Sequence, residues 1–210
     1  MNLKLPNIIS VFPLSGVIYF PKTNLPLNIF EPRYLNLIED SIKSNKYIGM
    51  IQSKKNTSDV YTVGCLGKIT ENKKTEDGRI LINLIGITRF EIKKEINNHK
   101  IYREFEVSYS KFKEDLDEKK EQSTKLEKIV DLSEKIKVFF KKNGLLLNWK
   151  EFEKLDQNQR INTLAMIAPI SNEEKQTILE SINLQTKTKI LSEIIEFYLY
   201  ENSVSNFTIQ

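Results

Sequence analysis

The sequence is poor in the residues that most often carry chemistry. Its 210 residues include one cysteine, one histidine and one tryptophan. A single cysteine, Cys65, excludes an intramolecular disulfide and fits a reducing, cytoplasmic compartment. With only His99 beside it, no Cys/His zinc site can be assembled within one chain. Seven glycines and no Gly-x-x-x-x-Gly-Lys exclude a phosphate-binding P-loop. No run of about 20 apolar residues exists to cross a membrane as a helix. The charge-free interval between Lys4 and Lys22 imitates a signal peptide, but Pro6, Pro13 and Pro21 interrupt it and no small-x-small cleavage site follows. It reads as the start of a strand-rich domain.

What is present is an ordinary globular composition, 40% hydrophobic and 29% charged. The net charge of +4 is uneven. Residues 1–111 hold 17 Lys+Arg against 11 Asp+Glu, and residues 112–210 hold 15 against 17. A mildly basic first half admits nucleic acid or acidic peptide as partners, although a solvated lysine-rich surface explains it more simply.

The first half reads as strands. Ile8–Leu14 is an apolar run ended by proline, and Val17–Pro21 is a second one. Leu25–Phe30 is extended, and Pro32 opens a short helix with Tyr34, Leu35, Ile38 and Ile42 at helical spacing. Strands follow at Tyr47–Gln52 and Tyr61–Thr70, the latter with Gly64 and Gly67 marking a bulge or close approach. Asp77-Gly78 signals a hairpin into a long apolar strand that bends at Gly86. Ile101–Tyr109 alternates like an edge or outer strand.

From Lys113 to Lys128 both charge signs crowd a linker that runs into a solvated helix. Helical stripes then recur: Leu126 to Phe140, Ile161 to Ala168, Ile178 with Leu179 and Ile182, and Ile190 to Leu199. Asn143-Gly144 is a C-cap, and Ser171 with Glu174 forms a capping box. The expected fold class is therefore α+β, with a β-rich subdomain over 1–111 and a helical subdomain over 112–210.

The organising stretch is Pro26-Leu27-Asn28-Ile29-Phe30-Glu31-Pro32-Arg33-Tyr34. Together with Phe12-Pro13-Leu14, Phe20-Pro21, Tyr47-Ile48-Gly49-Met50-Ile51, Gly64-Cys65-Leu66-Gly67 and Gly86-Ile87-Thr88-Arg89-Phe90, it resembles the N-terminal domain family of the Lon (peptidase S16) proteases. Leu164-Ala165, Pro169-Ile170 and Glu174-Lys175-Gln176 continue the likeness, while Lys187 and Lys189 depart from the arginine many members carry. The resemblance implies a PUA-like, partly closed barrel followed by a helical bundle. It also implies a non-catalytic protein-recognition domain, a free-standing member without the ATPase and protease modules.

Two readings of the motif follow. In one, Glu31, Arg33 and Arg89 form an ion-pair network that locks the strand-to-helix turn, with Phe30 and Tyr34 in the core. In the other, Phe30, Glu31, Arg33, Tyr34 and Arg89 orient a groove between barrel and bundle where an extended peptide docks, edge strands accepting it. Expected partners are unfolded or extended polypeptide segments and an ATP-dependent protease, with an adaptor or holdase role, no cofactor, no metal and no membrane. The alternative is a nucleic-acid-binding PUA-like module using Lys54-Lys55, Lys73-Lys74 and Lys93-Lys94. Cys65 reads as a buried structural thiol and His99 as an exposed turn residue.

Overall fold

The computed structural model describes residues 4–117 and 126–204. The chain divides into two compact units, 1–118 and 119–210. The change of character read at residue 111 precedes the division because a 3-10 segment, Ser110–Leu116, packs into the first unit.

Among the described residues six strands build that unit: β1 Ile8–Leu14, β2 Asn24–Ile29, β3 Tyr47–Gln52, β4 Val63–Lys74, β5 Ile80–Ile96 and β6 Arg103–Ser108. Their order is β2-β5-β4-β3-β1-β6, and β5 also pairs with β6, so five strands close into a ring with β2 outside it. Only β1 and β3 run parallel. The 17-residue β5 makes closure possible, pairing along one edge with β4 and along the other first with β2, then with β6. The alternation of Ile101–Tyr109 therefore misled: β6 is held on both sides, by β1 and β5, and is no edge. The edge strand is β2.

Ile9, Val11, Ile51, Leu66, Phe90, Phe105 and Val107 fill the ring. Gly64 is required by this packing, since a Cβ there would lie 2.5 Å from the Met50 carbonyl oxygen and 2.6 Å from the Phe90 ring. Gly86 is required likewise, where the chain crosses against the Phe20 carbonyl, and the register with β4 shifts beside it. Gly78, at φ 85°, makes the expected hairpin turn. Residues 17–21 form no strand. Ile18, Tyr19 and Phe20 are nonetheless buried, so hydrophobicity there reports core and not ladder.

Helix α1, Pro32–Lys43, begins where Pro32 takes the first position, its missing N–H being one a helix start leaves unbonded anyway. It buries Tyr34, Leu37, Ile38 and Ser41, one step rotated from the stripe read in sequence; Leu35 and Ile42 are half-buried.

The second unit contains α2 Leu126–Lys142, α3 Trp149–Phe152, α4 Gln157–Ile167, α5 Asn172–Glu180 and α6 Leu184–Val204. α6 packs against α2, α4 and α5. Ile136 and Phe140 from α2, Ile161 and Leu164 from α4, Ile178 and Leu179 from α5, and Leu191 and Ile195 from α6 are buried. Gly144, at φ 68°, follows α2 as the C-cap signal requires. The Leu126, Ile129 and Val130 side chains lie outside the described residues. Ser171 and Glu174 close the expected capping box, and Asp156 with Gln159 forms a second one. Ile182 is exposed, because α5 ends at Glu180 before the stripe reaches it. Lys187 is buried, its Nζ donating to Asn162 Oδ1 at 2.6 Å.

Candidate functional site

The ring parts along the second half of β1. β6 leaves β1 after the Val11–Arg103 pair, so the second half of β1 keeps β3 on one side only. Leu14 C=O accepts the Ser53 N–H at 3.3 Å, which turns Phe12 and Leu14 toward β3 and Pro13 away from it. β2 likewise pairs with β5 alone. Gly86 N–H donates to Thr23 C=O at 2.9 Å, so the two-residue alternation assigns residues 25, 27 and 29 to bonds with β5. Residues 24, 26 and 28 then turn their backbone groups outward.

A cleft of ≈ 520 Å³ lies here, lined by Phe12 to Ser15, Leu27 to Glu31, Arg33, Tyr34, Ser53, Thr57, Ser58 and Arg103. It is built wholly from barrel residues. Its floor holds Phe12 stacked on Tyr34, centroids 4.0 Å apart, and the Tyr34 hydroxyl donates to Pro13 C=O at 3.5 Å. Burial pushes the Tyr34 phenol above its ordinary pKa, with Arg33 opposing the shift. Phe30 stands 65% exposed, and so is not the core residue the sequence suggested. It follows Ile29, the last residue of β2, where the chain turns into α1, and the turn leaves its ring in solvent.

Arg33 grips Glu31 through Nε at 3.0 Å and Nη2 at 2.9 Å, and its guanidinium lies 4.5 Å from the Tyr34 ring centre. Both charged side chains are about half exposed, at 55% and 44%. Arg103 is fixed by Glu95 at 2.7 and 2.8 Å and by Ser58 C=O at 2.9 Å. The Glu95 carboxylate holds its pKa above the usual arginine range.

Arg89 does not join them. It is buried, with 2% exposure, and three of its donors meet the Asp115 carboxylate: N at 2.9 Å, Nε at 2.9 Å and Nη2 at 2.8 Å. Its guanidinium covers the Phe112 ring at 4.2 Å. The proposed Glu31–Arg33–Arg89 network is thus two separate pairs, one at the cleft lip and one that fastens the 3-10 segment to the barrel. Sequence reading missed Asp115 because it sits in a run where acids and bases alternate densely. It missed Arg103 and Ser58 because loop and strand meet there only after folding.

A smaller cavity of ≈ 240 Å³ sits beside the end of α1. Its polar groups bond one another: Tyr102 to Asp40 at 2.6 Å, and Lys100 to Glu104 at 2.8 Å, which pushes Lys100 up to about 12. Cys65 is buried and His99 exposed. Among the described residues no cluster of His, Cys, Asp or Glu could hold a metal ion, and no helix is long and apolar enough to cross a membrane.

The family described as the ATP-dependent protease La (LON) substrate-binding domain matches residues 8–196. The chain belongs to this family. Lon proteases of Dictyoglomus thermophilum and of Buchnera aphidicola from Baizongia pistaciae are 23% and 27% identical to it, over 96% and 90% of the chain. The chain spans about a quarter of the length of these curated relatives (26% and 24%). Two solved structures share the fold of this LON-family domain. A Lon N-terminal domain protein from Xanthomonas campestris matches with a TM-score of 0.61 at 19% identity, over 88% of this chain and 96% of its own. The N-terminal domain of Mycobacterium avium complex Lon protease matches with 0.64 at 14%, over 90% and 98%.

Proposed function

We propose that the barrel unit of this LON-family domain binds polypeptide segments in the cleft beside Pro26–Tyr34, as an adaptor or holdase that delivers or shelters substrates of an ATP-dependent protease. The observation that carries this reading is the pairing of an exposed aromatic, Phe30, with the stacked Phe12–Tyr34 floor of a ≈ 520 Å³ opening. An aromatic anchor beside an apolar floor and a polar rim is the composition of peptide-binding hot spots. Family membership supports it, since the family's description is that of a substrate-binding domain.

The rival nucleic-acid reading has less support. Lys74 meets Glu39 at 3.3 Å and Lys93 is paired with Glu91, so the charge of these two doublets is partly answered within the chain. Mixing the protein with a chemically unfolded model substrate, reduced carboxymethylated lactalbumin, tests the proposal by light scattering and crosslinking. Suppressed aggregation and crosslinks to residues 12–15 and 27–34 are expected. No association at micromolar concentration would refute it, and a gel shift with RNA that weakens steeply with salt would favour the rival.

A further inference from the structure

An opening between two strand edges invites the idea that a bound polypeptide enters as one more strand. The residues at those edges argue otherwise. Pro13 occupies the outward position on β1, at the point where continuing the β1–β6 register would bring Ile101 opposite it; pairing has already stopped there. Pro26 occupies the middle outward position on β2, between Asn24 and Asn28, one residue before the stretch that lines the cleft. Neither proline has an N–H, so each edge offers a carbonyl without the donor that a ladder needs. The Pro13 carbonyl is moreover already met by the Tyr34 hydroxyl. A strand laid along β2 would find donors only at Asn24 and Asn28, and one laid along β1 would find none at Pro13. Proline on an exposed edge is a common device against unwanted strand addition.

Resting on the reading of the cleft as a peptide site, we propose that Pro13 and Pro26 bar strand addition there, so that the cleft selects partner polypeptides by their side chains. The occupant is a segment presenting an apolar or aromatic side chain, which seats between Phe30 and the Phe12–Tyr34 stack. Its backbone makes no ladder with either edge. The two prolines are thus specificity-determining residues: they make recognition depend on which side chains a segment carries and not merely on its being extended.

Fluorescein-labelled dodecapeptides tiled over β-casein, measured by anisotropy, provide the probe. The tightest binder is resynthesised with N-methyl groups at odd or at even positions, and with its aromatic or largest apolar residue replaced by alanine. Neither N-methyl series should weaken binding more than about threefold, whereas the alanine peptide should lose about tenfold. A loss of about tenfold or more in one N-methyl series alone overturns the inference while leaving the peptide site standing. An alanine peptide that binds unchanged also overturns it. Failure of every peptide to bind removes both the site and the inference. The Pro13→Val/Pro26→Val variant, which restores both donors, should make binding sensitive to one N-methyl series or make the protein self-associate; a folded variant that does neither counts against the proline argument.

Discussion

Replacing Asp115 with alanine leaves buried Arg89 with three donors, its backbone N–H and two guanidinium N–H groups, deprived of the carboxylate they meet. Arg89 is 2% exposed and the Asp115 side chain 9%, so water cannot take the carboxylate's place without opening the 3-10 segment. Removing one partner of a buried ion pair typically costs about 3–5 kcal/mol. For a unit of this size, with roughly 4 °C of melting temperature per kcal/mol, the first transition should fall by about 12–20 °C. Asp115→Asn should cost less, because it keeps an acceptor oxygen and the shape. Replacing both partners, Arg89→Met with Asp115→Leu, should recover much of the loss, since a buried pair exchanged for apolar side chains of similar volume is often neutral. Thermal unfolding followed by circular dichroism provides the measurement. An Asp115→Ala protein melting within about 4 °C of the parent would refute the reasoning, since that corresponds to under about 1 kcal/mol.

Other substitutions separate binding from stability. Phe30→Ala should change the urea midpoint negligibly, within about 0.5 kcal/mol, yet weaken binding of unfolded polypeptide about tenfold. Glu31→Ala should cost less than about 1 kcal/mol by urea denaturation, because its pair with Arg33 is exposed. Arg103 holds the Glu95 carboxyl below the usual glutamate range, so that pair's contribution is present above the unfolded pKa of about 4.3 and is lost as pH falls through the lower folded value. Glu95→Gln should therefore flatten the acid limb of the stability profile slightly, by less than about 1 kcal/mol given its exposure. Ser171→Ala should destabilise the helical unit by about 1 kcal/mol, read from its thermal transition.

Local chemistry was legible in the sequence wherever a residue's neighbours in the chain decide its conformation. Pro32 at the start of α1, Gly78 in its hairpin, Gly144 after α2 and the Ser171–Glu174 box are all determined within a few residues. Strand extents followed less closely: the apolar run at residues 17–21 is core without a ladder, and β4 continues through the polar residues 71–74. The roles of β6 and β2 did not follow, because alternation reports which face is buried and not how many neighbours a strand has. Barrel closure depends on the length of β5, which carries two partners along one edge. Phe30 and Arg89 show the same limit for the site. Both stand in motifs of aromatic and basic residues, but only folding reveals that one ring faces solvent and that the other side chain's partner lies 26 positions along the chain.

In the proposed function, polypeptide binds in the cleft at the parted end of the barrel. Backbone amide shifts of isotopically labelled protein, titrated with unfolded β-casein peptides, test it most directly. The largest shifts are expected on residues 12–15, 27–34, 53–58 and 103, and Phe30→Ala should abolish most of them. Shifts confined to the lysine doublets or to the cavity around Asp40 and Lys100, with the cleft residues unmoved, would contradict it.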